Sequence, residues 1–185
     1  MRGVTLQQAA EWMRGELVGC DDPTVEPTGA SLDNRTLDAG QLFFAIVGEQ
    51  TDGHRFVEGA FEAGASAAIV LKDRIADNTS SGPLIAVDAP DLALGDLARN
   101  YRKQFDIPVI GITGSNGKTT TKDMTAAVLG TRYTVLATQG NQNTRLGVPM
   151  TILQLDDDHE VAVIEMGISE HHGLTYLCEV ADPNV

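Results

Sequence analysis

The stretch Gly111-Ile-Thr-Gly-Ser-Asn-Gly-Lys-Thr-Thr-Thr121 concentrates the residue types that hold a polyphosphate. An apolar run, Ile107-Pro-Val-Ile-Gly-Ile112, leads into it, and a helical pattern begins near Gly117. Strand, glycine turn and helix thus follow in the order of a phosphate-binding loop. In that order the N–H groups of Gly114, Ser115, Asn116, Gly117, Lys118, Thr119 and Thr120 can converge on the phosphates of ATP, with the positive end of the helix dipole behind them. Gly114 and Gly117 suit the turn and the close approach, because a Cβ would obstruct either. Lys118 would set its ammonium beside the β- and γ-phosphates, and Thr119 would offer a hydroxyl to Mg²⁺. The spacing G-x-x-x-x-G-K-[ST] asks for glycine at position 112, where Ile112 stands with Gly111 one residue early. The competing reading is a surface turn followed by an exposed lysine.

A second acid belongs to the same chemistry. Val161-Ala-Val-Ile-Glu-Met-Gly167 is an apolar strand ending in a carboxylate, Glu165. Ligands of doubly wound sheets sit beyond the carboxyl ends of the strands, so Glu165 would lie near the phosphates and contact Mg²⁺ directly or through water. The alternative is a carboxylate that caps the next helix or turns into solvent.

The elements that must position these groups alternate. Thr5-Leu-Gln-Gln8 followed by AAEWM predicts a capping box and a short helix ending near Gly15, with Trp12 and Met13 as packing residues. Residues 21–52 are turn-rich around one buried strand at 42–47. A helix at 55–63 closed by Gly64, strands at 67–71 and 84–87, and a helix at 91–105 complete a first unit. The pattern restarts with a strand at 107–112, a helix at 118–129, a strand at 133–137, a short helix at 148–155 and a strand at 161–165, with a further strand signal at Asn184 and Val185. The fold class expected is α/β: a small N-terminal α/β domain over 1–105, then a parallel-sheet P-loop ATPase domain over 106–185 that holds only part of its sheet. The boundary should fall near Phe105 and Asp106.

Composition narrows the functions further. The 185 residues are 42% hydrophobic, enough for a core, and carry a net charge of −13. Acids outnumber bases on both sides of Phe105, so the acidity is not a tail. Without a basic stripe, nucleic acid is excluded as an expected partner, and any anionic ligand must be held by backbone N–H groups and single cations. No apolar run approaches the roughly 20 residues of a membrane helix, and no secretory signal opens the chain. Cys20 and Cys178 stand far apart and form no disulfide or metal pattern, so a cytoplasmic location is expected.

The segments GITGSNGKTTTKDM, GNQNTRLGVPMTIL and VAVIEMG resemble the Mur ligases of peptidoglycan synthesis, most of all the branch that adds D-alanyl-D-alanine to UDP-N-acetylmuramoyl-tripeptide. Ser31-Leu-Asp-Asn-Arg35, Gln41-Leu-Phe-Phe-Ala45 and Asp52-Gly-His-Arg-Phe56 with Gly64-Ala65 resemble that family's UDP-binding domain, and the family's loop carries the same displaced glycine. The resemblance covers essentially the whole chain. It implies an ATP- and Mg²⁺-dependent ligase, most simply a monomer, that activates the tripeptide carboxylate as an acyl phosphate for attack by the dipeptide amine. Lys118 and Glu165 would be catalytic, with Thr119 and Glu165 on the metal. Ser31, Asn34 and Arg35 sit where the family contacts the UDP portion, although serine is commoner at position 34. Asn141 and Asn143 match the segment facing the muramoyl-peptide, and Thr144 replaces a usual asparagine there.

Beyond Glu165 the chain departs from the family, reading Ile168-Ser-Glu-His-His-Gly-Leu174 where an Asn-x-x-Gly-Glu-Ile segment is usual. The adjacent His171 and His172 read as solvated, and Asp156-Asp-Asp-His-Glu160 as an exposed loop. The family's carbamylated lysine, a metal-binding histidine and a C-terminal domain have no counterpart in these residues, so the expectation is that the 185 residues alone do not ligate. Three alternatives compete: a UDP-sugar or nucleotide-binding module without turnover, the sister ligase adding a diamino acid or lysine, and a folate polyglutamate or cyanophycin type of ligase, against which the Asp52-Gly-His54 segment argues.

Overall fold

The computed structural model describes residues 1–48, 51–78, 82–168 and 173–185. The chain forms two compact units, Met1–Leu97 and Ala98–Val185. The division therefore falls within a helix, earlier than the loop at Phe105 and Asp106.

The first unit contains α1 (Leu6–Trp12), β1 (Glu16–Val18), β2 (Ala30–Ser31), β3 (Leu42–Phe44), α2 (Val57–Glu62), β4 (Ala67–Leu71), α3 (Ile75–Asn78), β5 (Leu84–Val87) and most of α4 (Pro90–Arg102). Short 3₁₀ turns, Gly53–Phe56 and Lys72–Arg74, precede α2 and α3. The capping box forms: Thr5 Oγ1 accepts the Gln8 N–H at 3.2 Å, and Gln8 Oε1 accepts the Thr5 N–H at 3.0 Å. The sheet runs β1-β5-β4-β3-β2, with β2 to β5 parallel and β1 antiparallel at the edge. Strands β3, β4 and β5 are almost wholly buried, as continuous apolar runs in a parallel sheet must be when both faces are covered. The core around Phe43, Val57, Ala68, Val70 and Leu84 lies between this sheet and α2. Strands β1 and β2 are absent from the sequence reading because two or three residues carry no period.

His54 ties the turn after β3 to the end of β4. Its Nδ1 lies 2.6 Å from Asp52 Oδ1, and its Nε2 accepts the Leu71 N–H at 3.0 Å. The His54 backbone N–H and then its ring hold the Asp52 carboxyl below the ordinary range. The Asp52-Gly-His54 motif is thus a fastening of the first unit.

The second unit takes the last turn of α4, then β6 (Val109–Ile112), α5 (Lys118–Leu129), β7 (Val135–Ala137), α6 (Gly147–Ile152), β8 (Val161–Glu165) and α7 (Gly173–Ala181). Its sheet is parallel in the order β6-β8-β7. Tyr101, fully buried, donates its hydroxyl to the Leu155 carbonyl at 2.7 Å. Arg102, 5% exposed, donates to the carbonyls of Ala181, Phe105 and Ile107. Burial lowers its pKa from the ordinary arginine value. The strand signal at Asn184 and Val185 takes the form of bonds along the outer edge of β6: Gly111 N–H donates to the Val185 carbonyl at 2.8 Å, and Asn184 N–H to the Val109 carbonyl at 2.9 Å. Helix α7 went unread because its buried positions, Leu177, Val180 and Ala181, span barely one turn. No helix among the described residues is long and apolar enough to cross a membrane.

Candidate functional site

The loop between β6 and α5 opens outward. Gly114 has φ +138° and Gly117 φ +75°, conformations that L side chains rarely adopt. A Cβ on Gly117 would meet nothing within 4 Å, and one on Gly114 only the Asn116 carbonyl at 3.9 Å, so both glycines border open space. The first α5 bond is Thr121 N–H to the Gly117 carbonyl at 2.9 Å, which leaves the N–H groups of Lys118, Thr119 and Thr120 without an intrahelical acceptor. Ser115, Asn116, Gly117, Thr119 and Thr120 are exposed. Lys118 arches back over the bend and donates Nζ to the Gly114 carbonyl at 2.7 Å. The displaced Gly111 has another task. A Cβ there would lie 2.4 Å from Met166 Cε and 3.2 Å from Pro183, so it is a packing residue of the strand.

Strand register brings the acid to this loop. Ile112 at the end of β6 pairs with Glu165 at the end of β8, one strand spacing away. Glu165 is 1% exposed. Its Oε1 accepts the Asn143 Nδ2–H at 2.6 Å, and its backbone N–H donates to Thr138 Oγ1 at 2.9 Å. Its Oε2 is buried and has no hydrogen-bond partner among the described residues. A buried carboxylate oxygen without a partner is costly unless a cation satisfies it. Among the described residues no cluster of three or more His, Cys, Asp or Glu side chains could hold a metal. A single buried carboxylate oxygen of this kind fits Mg²⁺, which takes few protein ligands and completes its shell with phosphate oxygens and water.

Other expected contacts have local partners. Thr144 Oγ1 accepts the Gly147 N–H at 3.2 Å at the start of α6, and the Asn141 carbonyl accepts the Asn143 N–H at 2.8 Å. Lys122, which the sequence analysis did not single out, is 5% exposed and donates Nζ to the Thr138 carbonyl at 2.9 Å. Its position one turn after Lys118, on the helix face toward the sheet, was the only available signal. The His171 and His172 readings lie outside the described residues. The Asp156–Glu160 loop closes on itself, with His159 Nδ1 2.7 Å from Asp156 Oδ1.

In the first unit, a hollow of about 390 Å³ at the carboxyl ends of the parallel strands is lined by Leu32, Asp33, Asn34, Arg35, Thr51 and Phe56. Asn34 and Arg35 border it. Ser31 does not, its hydroxyl being held by the backbone of Asp33. Arg35 grips Asp33 with Nε at 2.9 Å from Oδ1 and Nη2 at 2.5 Å from Oδ2. The guanidinium, then the Arg35 backbone N–H, lowers the Asp33 pKa to about 2. A depressed carboxylate favours the native state above its ordinary pKa and loses that contribution as pH falls toward 2. Arg35→Ala should therefore return the Asp33 midpoint toward the ordinary 3.8, read from its carboxyl ¹³C shift against pH; a midpoint still near 2 would assign the effect to the backbone alone.

Both units are similar to known proteins. Residues 26–102 match the family described as Mur ligase family, catalytic domain, and residues 112–185 match the Mur ligase middle domain. The UDP-N-acetylmuramoyl-tripeptide--D-alanyl-D-alanine ligase of Bacillus subtilis is 45% identical over an alignment of 184 residues that covers 97% of this chain and 39% of that protein. A crystal structure of MurF from Acinetobacter baumannii superposes with a TM-score of 0.89 at 35% identity, over 97% of this chain and 39% of that one. The MurF ligase of Thermotoga maritima in complex with ADP gives 0.71 at 34% identity, over 84% of this chain and 35% of that one. The chain thus spans about two fifths of the length of these relatives. With both units matched in chain order, the chain belongs to the Mur ligase family.

Proposed function

We propose that these residues carry the UDP-substrate and ATP sites of a ligase that joins D-alanyl-D-alanine to UDP-N-acetylmuramoyl-tripeptide. The observation that carries the reading is the buried Glu165 carboxylate, one oxygen bound and one without a partner, in register with the strand that feeds the glycine loop. In this reading residues 1–105 hold the UDP portion, with Asn34 and Arg35 bordering its hollow, and residues 106–185 hold the nucleotide.

A tripeptide carboxylate oxygen attacks the γ-phosphorus of ATP, the bond to the β-phosphate oxygen breaks, and ADP leaves. The amine of the dipeptide then attacks the carbonyl of the acyl phosphate, phosphate departs, and the nitrogen loses a proton to give the amide. A carboxylate is a poor electrophile, and the phosphoryl group converts its oxygen into a good leaving group. The chain's contribution is positioning and charge neutralisation. Lys118, released from the Gly114 carbonyl, and the amides of residues 114–120 hold the β- and γ-phosphates, and Thr119 and Glu165 would hold Mg²⁺. When bound, that ion would neutralise phosphate charge.

Calorimetric titration of ADP, with and without Mg²⁺, and separately of UDP tests the reading. Saturable binding of ADP that Mg²⁺ strengthens is expected, together with UDP binding that Arg35→Ala weakens. Absence of ADP binding under both conditions would overturn it.

A further inference from the structure

Asn143, expected to face the muramoyl-peptide, has its amide nitrogen on an acid of the chain itself. It donates to Glu165 Oε1 at 2.6 Å across 22 residues of sequence. The surrounding backbone is built to keep it there. The Asn143 carbonyl accepts the Gly167 N–H at 2.7 Å, and a Cβ on Gly167 would lie 3.0 Å from that carbonyl oxygen and 3.2 Å from Asn143 Oδ1. The chain just beyond the acid therefore approaches Asn143 so closely that a side chain at position 167 would fit only if its neighbours gave way by a few tenths of an ångström. The other end of the same loop holds the acid's main chain through the Thr138 hydroxyl, and Lys122 anchors the Thr138 carbonyl.

Resting on the reading of Glu165 as a cation ligand, we infer that Asn143 is a positioning residue that commits Oε1 and leaves Oε2 as the single oxygen offered to the ion. That restriction bears on which cation is accepted. Ca²⁺ takes six to eight oxygens and readily uses both oxygens of one carboxylate, whereas Mg²⁺ demands near-octahedral geometry and few protein oxygens. A carboxylate with one oxygen tied by an amide suits the smaller ion. Partners that orient a ligand in this way typically change metal affinity 10–100-fold when removed.

The test measures ADP affinity of this chain by calorimetry in EDTA, in Mg²⁺ and in Ca²⁺, for the unaltered protein, Asn143→Leu and Asn143→Ser. Thermal unfolding of each variant accompanies it. The unaltered chain should gain more affinity from Mg²⁺ than from Ca²⁺. Both variants should keep the affinity measured in EDTA, lose about tenfold of the Mg²⁺ gain, and show a narrowed preference over Ca²⁺. Retention of the full Mg²⁺ gain in either folded variant overturns the inference. So does an equal loss in EDTA, which would mark Asn143 as a structural part of the loop. If the unaltered chain binds ADP but gains nothing from Mg²⁺, the metal reading of Glu165 itself falls, and the inference with it.

Discussion

Lys118→Ala should weaken ADP binding about 100-fold, with EDTA or Mg²⁺ present, and leave the fold intact. Lys118 makes one protein contact that matters here, its Nζ on the Gly114 carbonyl at 2.7 Å. Gly114 is only partly buried, so its carbonyl can bond water instead and truncation leaves no fully buried orphan behind. In the nucleotide complex the same ammonium would meet phosphate oxygens. Hydrogen bonds to charged groups contribute about 1.5–3 kcal/mol, and the upper part of that range is about two orders of magnitude in affinity. The net charge of −13 enlarges the effect, since few cations oppose the repulsion of a polyphosphate. Calorimetry measures the affinity and circular dichroism the fold. An unchanged dissociation constant would remove the phosphate role of the loop.

Gly147→Ala should lower stability by about 3 kcal/mol, the upper end of what overpacking a filled site costs. A Cβ at this first residue of α6 would lie 2.6 Å from the carbonyl carbon of Gln142, 2.7 Å from its Cα and 2.8 Å from its oxygen. All three are backbone atoms, so no rotamer change relieves the clash. The loop preceding α6 must shift, and Asn143, next to Gln142, moves with it. For a unit of this size such a loss corresponds to a fall in Tm of roughly 15 °C. The Mg²⁺ gain in ADP affinity should disappear together with it, through displacement of the Glu165 clamp. Differential scanning calorimetry checks the first part and ADP titration the second. A variant as stable as the parent would show that the loop tolerates displacement and would separate it from the acid.

Local chemistry made much of this legible. Thr5 and Gln8 announced a helix start because both partners of the capping box lie within one turn. The glycine loop was readable for the same reason: the strand, the bend at Gly114 and Gly117 and the helix at Lys118 follow one another directly. Glu165 stood out as an acid closing an apolar strand. Gly111 departs from the spacing of the motif, and the reason for a glycine there lies in packing against Met166 and Pro183.

Two buried cations escaped the sequence because a partner of each lies well beyond its own helix. Arg102 reads as a surface arginine at a helix end, yet it is buried because the carbonyls of Phe105, Ile107 and Ala181 converge on it. Lys122 sits in a polar run, and only the packing of α5 against the sheet turns it inward onto Thr138.

Periodicity, turn residues and caps depend on neighbours a few positions away, so the order of the longer strands and helices and the place of the glycine loop were written in the chain itself, whereas β1, β2 and α7 were not. Which oxygen of Glu165 is tied and which is left open depended on parallel register between β6 and β8 and on a loop returning from 22 residues earlier. Such a pairing has no local signature, because its geometry exists only once the sheet has formed.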